Sequence, residues 1–270
     1  AEANLWDAGF AGEIAALRST GRAPKEARLV RLDDLPQRPR LAVVCLPQPD
    51  LPQLLESLAR HHCRVAALVG GGVGAAALDA NAARAALAAA RAHGLRIIGP
   101  DRVAVIVPAR SVNLGTVSEM PPAGDLAFVT QSDSIATAML DWAAARRIGF
   151  SYVASLGELA EVEVGDVLDY LALDVATRAV LVHIEGISDA RRFMSAARGT
   201  ARIKPVLVLK AGQEVGPPPE RGGGGGQRPP RDDIYDAAFA RAGLVRVGSI
   251  EELFAAAARL GGGALRRGAR

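Results

Sequence analysis

Val206-Leu207-Val208-Leu209-Lys210-Ala211-Gly212, a loop holding Gly222-Gly223-Gly224-Gly225-Gly226, and then Ile234-Tyr235-Asp236-Ala237-Ala238-Phe239-Ala240-Arg241-Ala242-Gly243 stand in this order in the chain. The first segment is a continuous apolar run of strand length, as expected of a strand covered on both faces. The last has an apolar stripe at helical spacing and stops at glycine, the residue that most readily ends a helix. Leu244-Val245-Arg246-Val247 follows at once. Strand, crossover helix and a further apolar run predict a parallel sheet covered by helices.

The same alternation extends outward in both directions. Upstream, Leu41 to Leu46 ends at Pro47, a helix is expected over Leu51 to His61, and Arg64 to Val69 runs into Gly70-Gly71-Gly72. An alanine-rich helix from Asp79 to Ala92 stops at His93-Gly94, and Leu95 to Ile98 leads into Gly99-Pro100-Asp101. Met120-Pro121-Pro122-Ala123-Gly124 is a turn-rich joint, which puts a first unit at 1–121 and a second at 122–260. In the second unit strands are expected at 125–129, 150–153, 179–184 and 206–209, and helices at 135–146, 164–172, 190–197, 232–241 and 249–258. The Gly/Arg-rich end, 261–270, reads as a disordered tail. Ligands of open parallel sheets sit beyond the carboxyl ends of the strands. The loops to inspect therefore begin at Pro47, Gly70, Gly99, Thr130, Glu185 and Lys210.

Composition narrows the classes. A chain of 270 residues that is half apolar builds about two aliphatic cores. No apolar run is long enough to cross a bilayer. Cys45 and Cys63 lie in apolar surroundings and read as reduced core thiols of a cytoplasmic protein. A net charge of +3, with basic clusters lacking interleaved aromatics, gives no nucleic-acid signature. Neither a P-loop, a dinucleotide fingerprint nor a metal-ligand motif is present.

Several words of the second unit, in order, carry a resemblance: Leu140-Asp141-Trp142-Ala143, Ile148-Gly149-Phe150-Ser151, Ser155-Leu156-Gly157, Glu185-Gly186-Ile187 and Leu209-Lys210-Ala211-Gly212. The chain resembles the nucleoside-diphosphate-forming acyl-CoA synthetases from about Ala3 to Leu260. That group includes ADP-forming acetate–CoA ligase, the succinyl-CoA synthetase α-subunit and the synthetase-like half of bacterial protein acetyltransferases. The resemblance implies a Rossmann-like CoA-binding unit followed by a flavodoxin-like domain. It also implies CoA binding at Pro47, Gly70, Gly71, Gly72, Gly99, Pro100 and Asp101, and nucleotide chemistry supplied by an ATP-grasp subunit or domain. Such ligases carry phosphate on a histidine in a Ser-His-Thr-Gly loop. On this chain that word falls on Gly223 to Gly226, with Gly224 at the histidine. Glycine has no side chain to phosphorylate.

The other loops are altered too. Glu185 matches the carboxylate that orients the phosphohistidine ring; as an ordinary residue it would cap the helix near Asp189. Gln131, Ser132, Asp133 and Ser134 match a phosphate-receiving Ser-Gln-Ser-Gly turn, with Asp133 replacing the glycine. Its carboxylate is expected to accept the free helix N–H groups as an N-cap and so repel phosphate, and a divalent-cation role would need more carboxylates. His61, His62 and His93 fall at helix ends, and His183 is expected on the same strand face as Glu185. The family's opening strand and glycine turn find no match before Ala3, which implies CoA binding in the millimolar range. Three readings follow: a catalytically degenerate CoA-binding protein, an active α-type ligase subunit needing an ATP-grasp partner, or a structural remnant of a larger acetyltransferase-like protein. Partners on these readings are CoA or acyl-CoA, the ATP-grasp unit, and a second copy of the chain, with no nucleic acid or membrane.

Overall fold

The computed structural model describes residues 2–16, 28–29, 32–35, 37–45, 51–69, 85, 88–101, 104–115, 119–156, 162–212 and 232–261. A short helix, α1 (Glu2–Asp7), is followed by a two-residue parallel pair, β1 (Ala15–Ala16) and β2 (Arg28–Leu29). Then β3 (Leu41–Cys45), β4 (Val65–Val69) and β5 (Arg96–Asp101) form a three-stranded parallel sheet in that order. Helix α2 (Leu51–Arg60) lays Leu51, Leu55 and Leu58 on it, each essentially fully buried with Leu68, Leu95 and Ile97. Cys63 is a buried free thiol whose pKa is raised by burial. Of the helix expected at 79–92, only 85 and 88–92 fall within the described residues.

The second sheet has seven strands. Its elements are β6 (Ala104–Val107), β7 (Val112–Asn113), β8 (Ala123–Thr130), α3 (Asp133–Ala144), β9 (Phe150–Ser155), α4 (Val164–Leu173), β10 (Ala179–Ile184), α5 (Ala190–Ala201), β11 (Val206–Lys210), α6 (Asp232–Ala242), β12 (Val245–Val247) and α7 (Ile250–Gly261). The strand order is β12-β11-β10-β8-β9-β6-β7. From β8 onward all pairings are parallel, and these five strands reproduce the 2-1-3-4-5 order of doubly wound flavodoxin-like domains. Side chains alternate across the sheet as strand geometry requires. Leu126 and Phe128 pack with Met139, Leu253 and Ala257 of α3 and α7, while Ala127 and Val129 pack with Leu168, Phe193 and Phe239 of α4, α5 and α6. Coverage on both faces explains the unbroken apolar runs.

One feature was not legible. β6 pairs antiparallel with β9 and with β7, so the backbone ladder of the second sheet crosses the joint expected at 121. The β6–β7 turn runs through Pro108–Arg110 and closes on Ser111, whose φ of 54° is left-handed. At the other end, α7 runs to Gly261, the first residue of the tail expected at 261–270; residues 262–270 lie outside the described residues. Among the described residues no helix is long and apolar enough to cross a membrane.

Candidate functional site

In the 2-1-3-4-5 order, the chain reverses direction across the sheet between β8 and β10, and ligands of such domains bind at the carboxyl ends of that pair. Here those ends are Thr130 and Ile184, and the residues beyond them are Gln131, Ser132, Asp133 and Glu185. The topology therefore brings together two of the loops singled out from sequence, 54 positions apart.

Their geometry is fixed by a small polar cluster beneath them. Thr130 is fully buried; its Oγ1 accepts from the Ser132 N–H at 2.9 Å and lies 3.0 Å from His183 Nδ1. His183 is 4 % exposed, and its pKa is lowered, chiefly by burial and secondarily by the charge of Lys210. The Gln131 N–H donates to the His183 carbonyl at 3.2 Å. The Gln131 side-chain carbonyl in turn accepts from the Glu185 N–H at 2.7 Å and the Gly186 N–H at 3.1 Å. Gln131, expected to bind phosphate, thus commits its Oε1 to stapling the two loops, and its amide NH2 is the donor left to face an anion.

Asp133 departs from expectation. The N-cap of α3 is Ser132, extended at φ −117° and ψ 121° and making no side-chain cap hydrogen bond, while Asp133 is the first helical residue. The reason is local: the Thr130 hydroxyl ties down the Ser132 N–H and leaves Ser132 as the last non-helical residue, so the chain enters the helix one residue earlier. The carboxylate still sits in the first turn, where the positive end of the helix dipole favours an anion. Ser134 is exposed one position further on.

Glu185 is exposed and lies one residue beyond β10. It does not share a strand face with His183 as expected, because the strand ends at Ile184 and His183 is turned into the core. Nor does it cap the next helix: Asp189 does so, accepting the Arg192 N–H at 2.9 Å. On the neighbouring strand, Ser155 pairs in register with Thr130, and its hydroxyl is buried without a hydrogen-bond partner among the described residues. The sequence reading missed Ser155 and the Thr130–His183 contact; both depend on which strands become neighbours.

The remaining histidines stand elsewhere. His61 and His62 follow α2, where a cation suits the helix end, and His61 is held by the Ser57 carbonyl at 2.8 Å and Asp33 at 3.0 Å. His93 follows the helical residues ending at 92. Gly224, Pro47 and Gly70 to Gly72 lie outside the described residues. Of the expected CoA rim, Gly99 is buried with a left-handed φ of 92°, a conformation that suits glycine, at the irregular end of the β4–β5 ladder; Pro100 and Asp101 continue that strand. No group of His, Cys, Asp or Glu able to hold a metal occurs among the described residues.

Comparisons with known proteins agree with this fold. Residues 18–108 match the CoA binding domain family and residues 123–260 the succinyl-CoA ligase like flavodoxin domain family. The chain is 32 % identical over 221 residues to acetate–CoA ligase (ADP-forming) I of Archaeoglobus fulgidus, covering 82 % of this chain and 32 % of that protein. It is 30 % identical to the α subunit of acetate–CoA ligase (ADP-forming) I of Pyrococcus furiosus, covering 93 % of this chain and 56 % of the relative. This chain therefore spans between a third and just over half of these relatives. In three dimensions it resembles the dinucleotide forming acetyl-coenzyme A synthetase 1 of Ca. Korarchaeum cryptofilum, with a TM-score of 0.81 at 23 % identity over 96 % of this chain and 56 % of that one.

Proposed function

Because the chain belongs to the nucleoside-diphosphate-forming acyl-CoA synthetases, with CoA-binding and succinyl-CoA ligase-like domains, we propose that it binds CoA or an acyl-CoA but does not relay a phosphoryl group. The observation that carries this is the fate of its histidines. The whole sequence has four. Three, His61, His62 and His93, belong to the CoA-binding half, and His61 has both ring nitrogens engaged. The fourth, His183, is close to the carboxyl edge, but it is buried and its Nδ1 meets Thr130. Where the sequence resemblance puts the phosphoacceptor stands Gly224.

The first unit would supply the CoA site, with the Gly99 backbone among its walls, and CoA would bring the thiol that accepts an acyl group. Gln131 would hold the 131–133 turn against the Glu185 loop. Asp133 would place a fixed negative charge where phosphate would otherwise dock.

A second reading is favoured by the names of the relatives, one of which is an α subunit of an ADP-forming ligase. In that case this chain would act with an ATP-grasp partner supplying ADP/ATP chemistry. One experiment separates the two. The full chain is incubated with γ-labelled ATP, acetate, CoA and an ATP-grasp subunit, and probed for acid-labile phosphate by mass spectrometry. The proposal expects none on this chain, and no ADP beyond that released by the partner alone. Phosphate on His183, or CoA-dependent ADP release that requires this chain, overturns it.

A further inference from the structure

Helices α5 and α6 lead into parallel strands β11 and β12, so their last turns lie at the amino edge of the second sheet, opposite Thr130 and Glu185. Between those last turns opens a cavity of about 300 Å³. Arg198, Arg202 and Arg241 line it together with the small residues Ala201, Ala240 and Gly243, and no acidic side chain does. All three arginines are exposed, and none has an ion-pair partner among the described residues.

A cation in the last turn suits each helix end, but three cations around one cavity exceed what the two ends balance. Arg198 and Arg202 are four residues apart, at the spacing where like charges on a helix repel. Arg241 adds a third cation from the neighbouring helix. The two helix C-termini offset part of this, each contributing roughly half a negative charge. Three positive charges against about one negative leave a surplus of about two. Guanidinium groups present paired N–H donors that match phosphate oxygens, and the alanine and glycine lining leaves room for the anion to enter.

We propose that this cavity is a binding site for a phosphate-bearing anion of two or more negative charges, recognised through its phosphate chain. It is independent of the CoA reading and lies at the other edge of the sheet from the 131–134 turn. The test is calorimetry of the full chain in low-chloride buffer with pyrophosphate and, separately, ATP, on wild type, Arg198→Ala/Arg241→Ala and Arg198→Lys/Arg241→Lys. One saturable site is expected for pyrophosphate, weakened at least tenfold in the alanine pair and less in the lysine pair. Equal affinity for ATP assigns the phosphate chain alone, and tighter ATP binding assigns a nucleotide held by the same arginines. No saturable pyrophosphate binding by wild type overturns the proposal, as does unchanged binding by the alanine pair when circular dichroism shows that pair folded.

Discussion

Replacing Thr130 by valine keeps the shape of a fully buried side chain and deletes only its hydroxyl. That hydroxyl accepts from the Ser132 N–H at 2.9 Å, donates to the Ser132 carbonyl at 3.2 Å and lies 3.0 Å from His183 Nδ1. A buried polar group stripped of its partner costs about 1–3 kcal/mol. His183, 4 % exposed, bears that cost fully. Ser132 is half-buried and can turn partly to water, so it adds less. Thr130→Val should therefore lose about 2–4 kcal/mol, which at a urea m-value of about 2 kcal/mol/M moves the midpoint down by about 1–2 M. His183→Leu removes the other partner, and in the double variant much of the penalty should vanish, because two apolar groups leave less unsatisfied. A pH series adds an independent arm. The folded imidazole has its pKa below the ordinary 6.5, so the unfolded chain takes up the proton first as pH falls. This contribution is fully present above 6.5 and is lost as pH drops towards the folded value, at about 1.4 kcal/mol per pH unit. His183→Leu should flatten the stability curve between pH 6.5 and 5.5. A Thr130→Val cost under about 0.5 kcal/mol, strict additivity in the double variant, or an unchanged pH slope in His183→Leu would refute the reasoning.

Gly124 and Gly149 meet backbone to backbone: a Cβ on Gly124 would stand 2.3 Å from the Gly149 carbonyl, and one on Gly149 would stand 2.5 Å from the Ala123 carbonyl. Gly149→Ala should cost more than about 3 kcal/mol by wedging β8 from β9, seen as lost soluble yield or a collapsed melting transition. Arg246 is 13 % exposed and forks to Asp232 at 2.7 Å and Asp236 at 2.5 Å, holding the first turns of α6. Arg246→Met should lose about 1–3 kcal/mol in urea melts, with no change expected in an Arg241→Met control. Gly224→His alone should give no phosphohistidine with an ATP-grasp partner, because Asp133 still occupies the first turn of α3. Gly224→His combined with Asp133→Gly should give detectable acid-labile phosphate, and equal labelling of the single variant would show that Asp133 is no obstacle.

The parallel strands were legible because both of their faces are covered, which turns them into apolar runs such as Val206 to Leu209. Helices α3 to α7 were legible from their stripes to within a few residues at each end. The β6–β7 hairpin was not: its strands are short, its turn carries Pro108 and a left-handed Ser111, and its partner β9 lies more than forty positions away. At the site, the sequence located the turn at 131–134 and the Glu185 loop separately. What it could not give was register. Thr130 faces His183 across one ladder and Ser155 across the other, and neither pairing leaves a trace in local composition. The entry of α3 moved from Asp133 to Ser132 for the same reason, since the hydroxyl that ties down Ser132 belongs to the strand end before it.

These two kinds of information separate energetically as well. The side chains that close the two faces of the second sheet, Phe128, Phe150, Leu168, Leu253 and Phe239 among them, lie along the strands and the middles of the helices. Asp133 and Glu185, two residues expected from sequence to bear on family chemistry, lie beyond the strand ends, where they bury little apolar surface. Substitutions beyond the strand ends therefore cost the fold little, while Gly149 has no room for an added atom. Gln131 is the exception. Its side chain bonds the Glu185 and Gly186 N–H groups and so couples the turn to the loop beside it. That staple maintains the shape of the edge whether or not phosphate passes there. The family fold and the loop differences expected from sequence are thus independent of one another, and labelling of the chain with an added ATP-grasp subunit tests whether they go together.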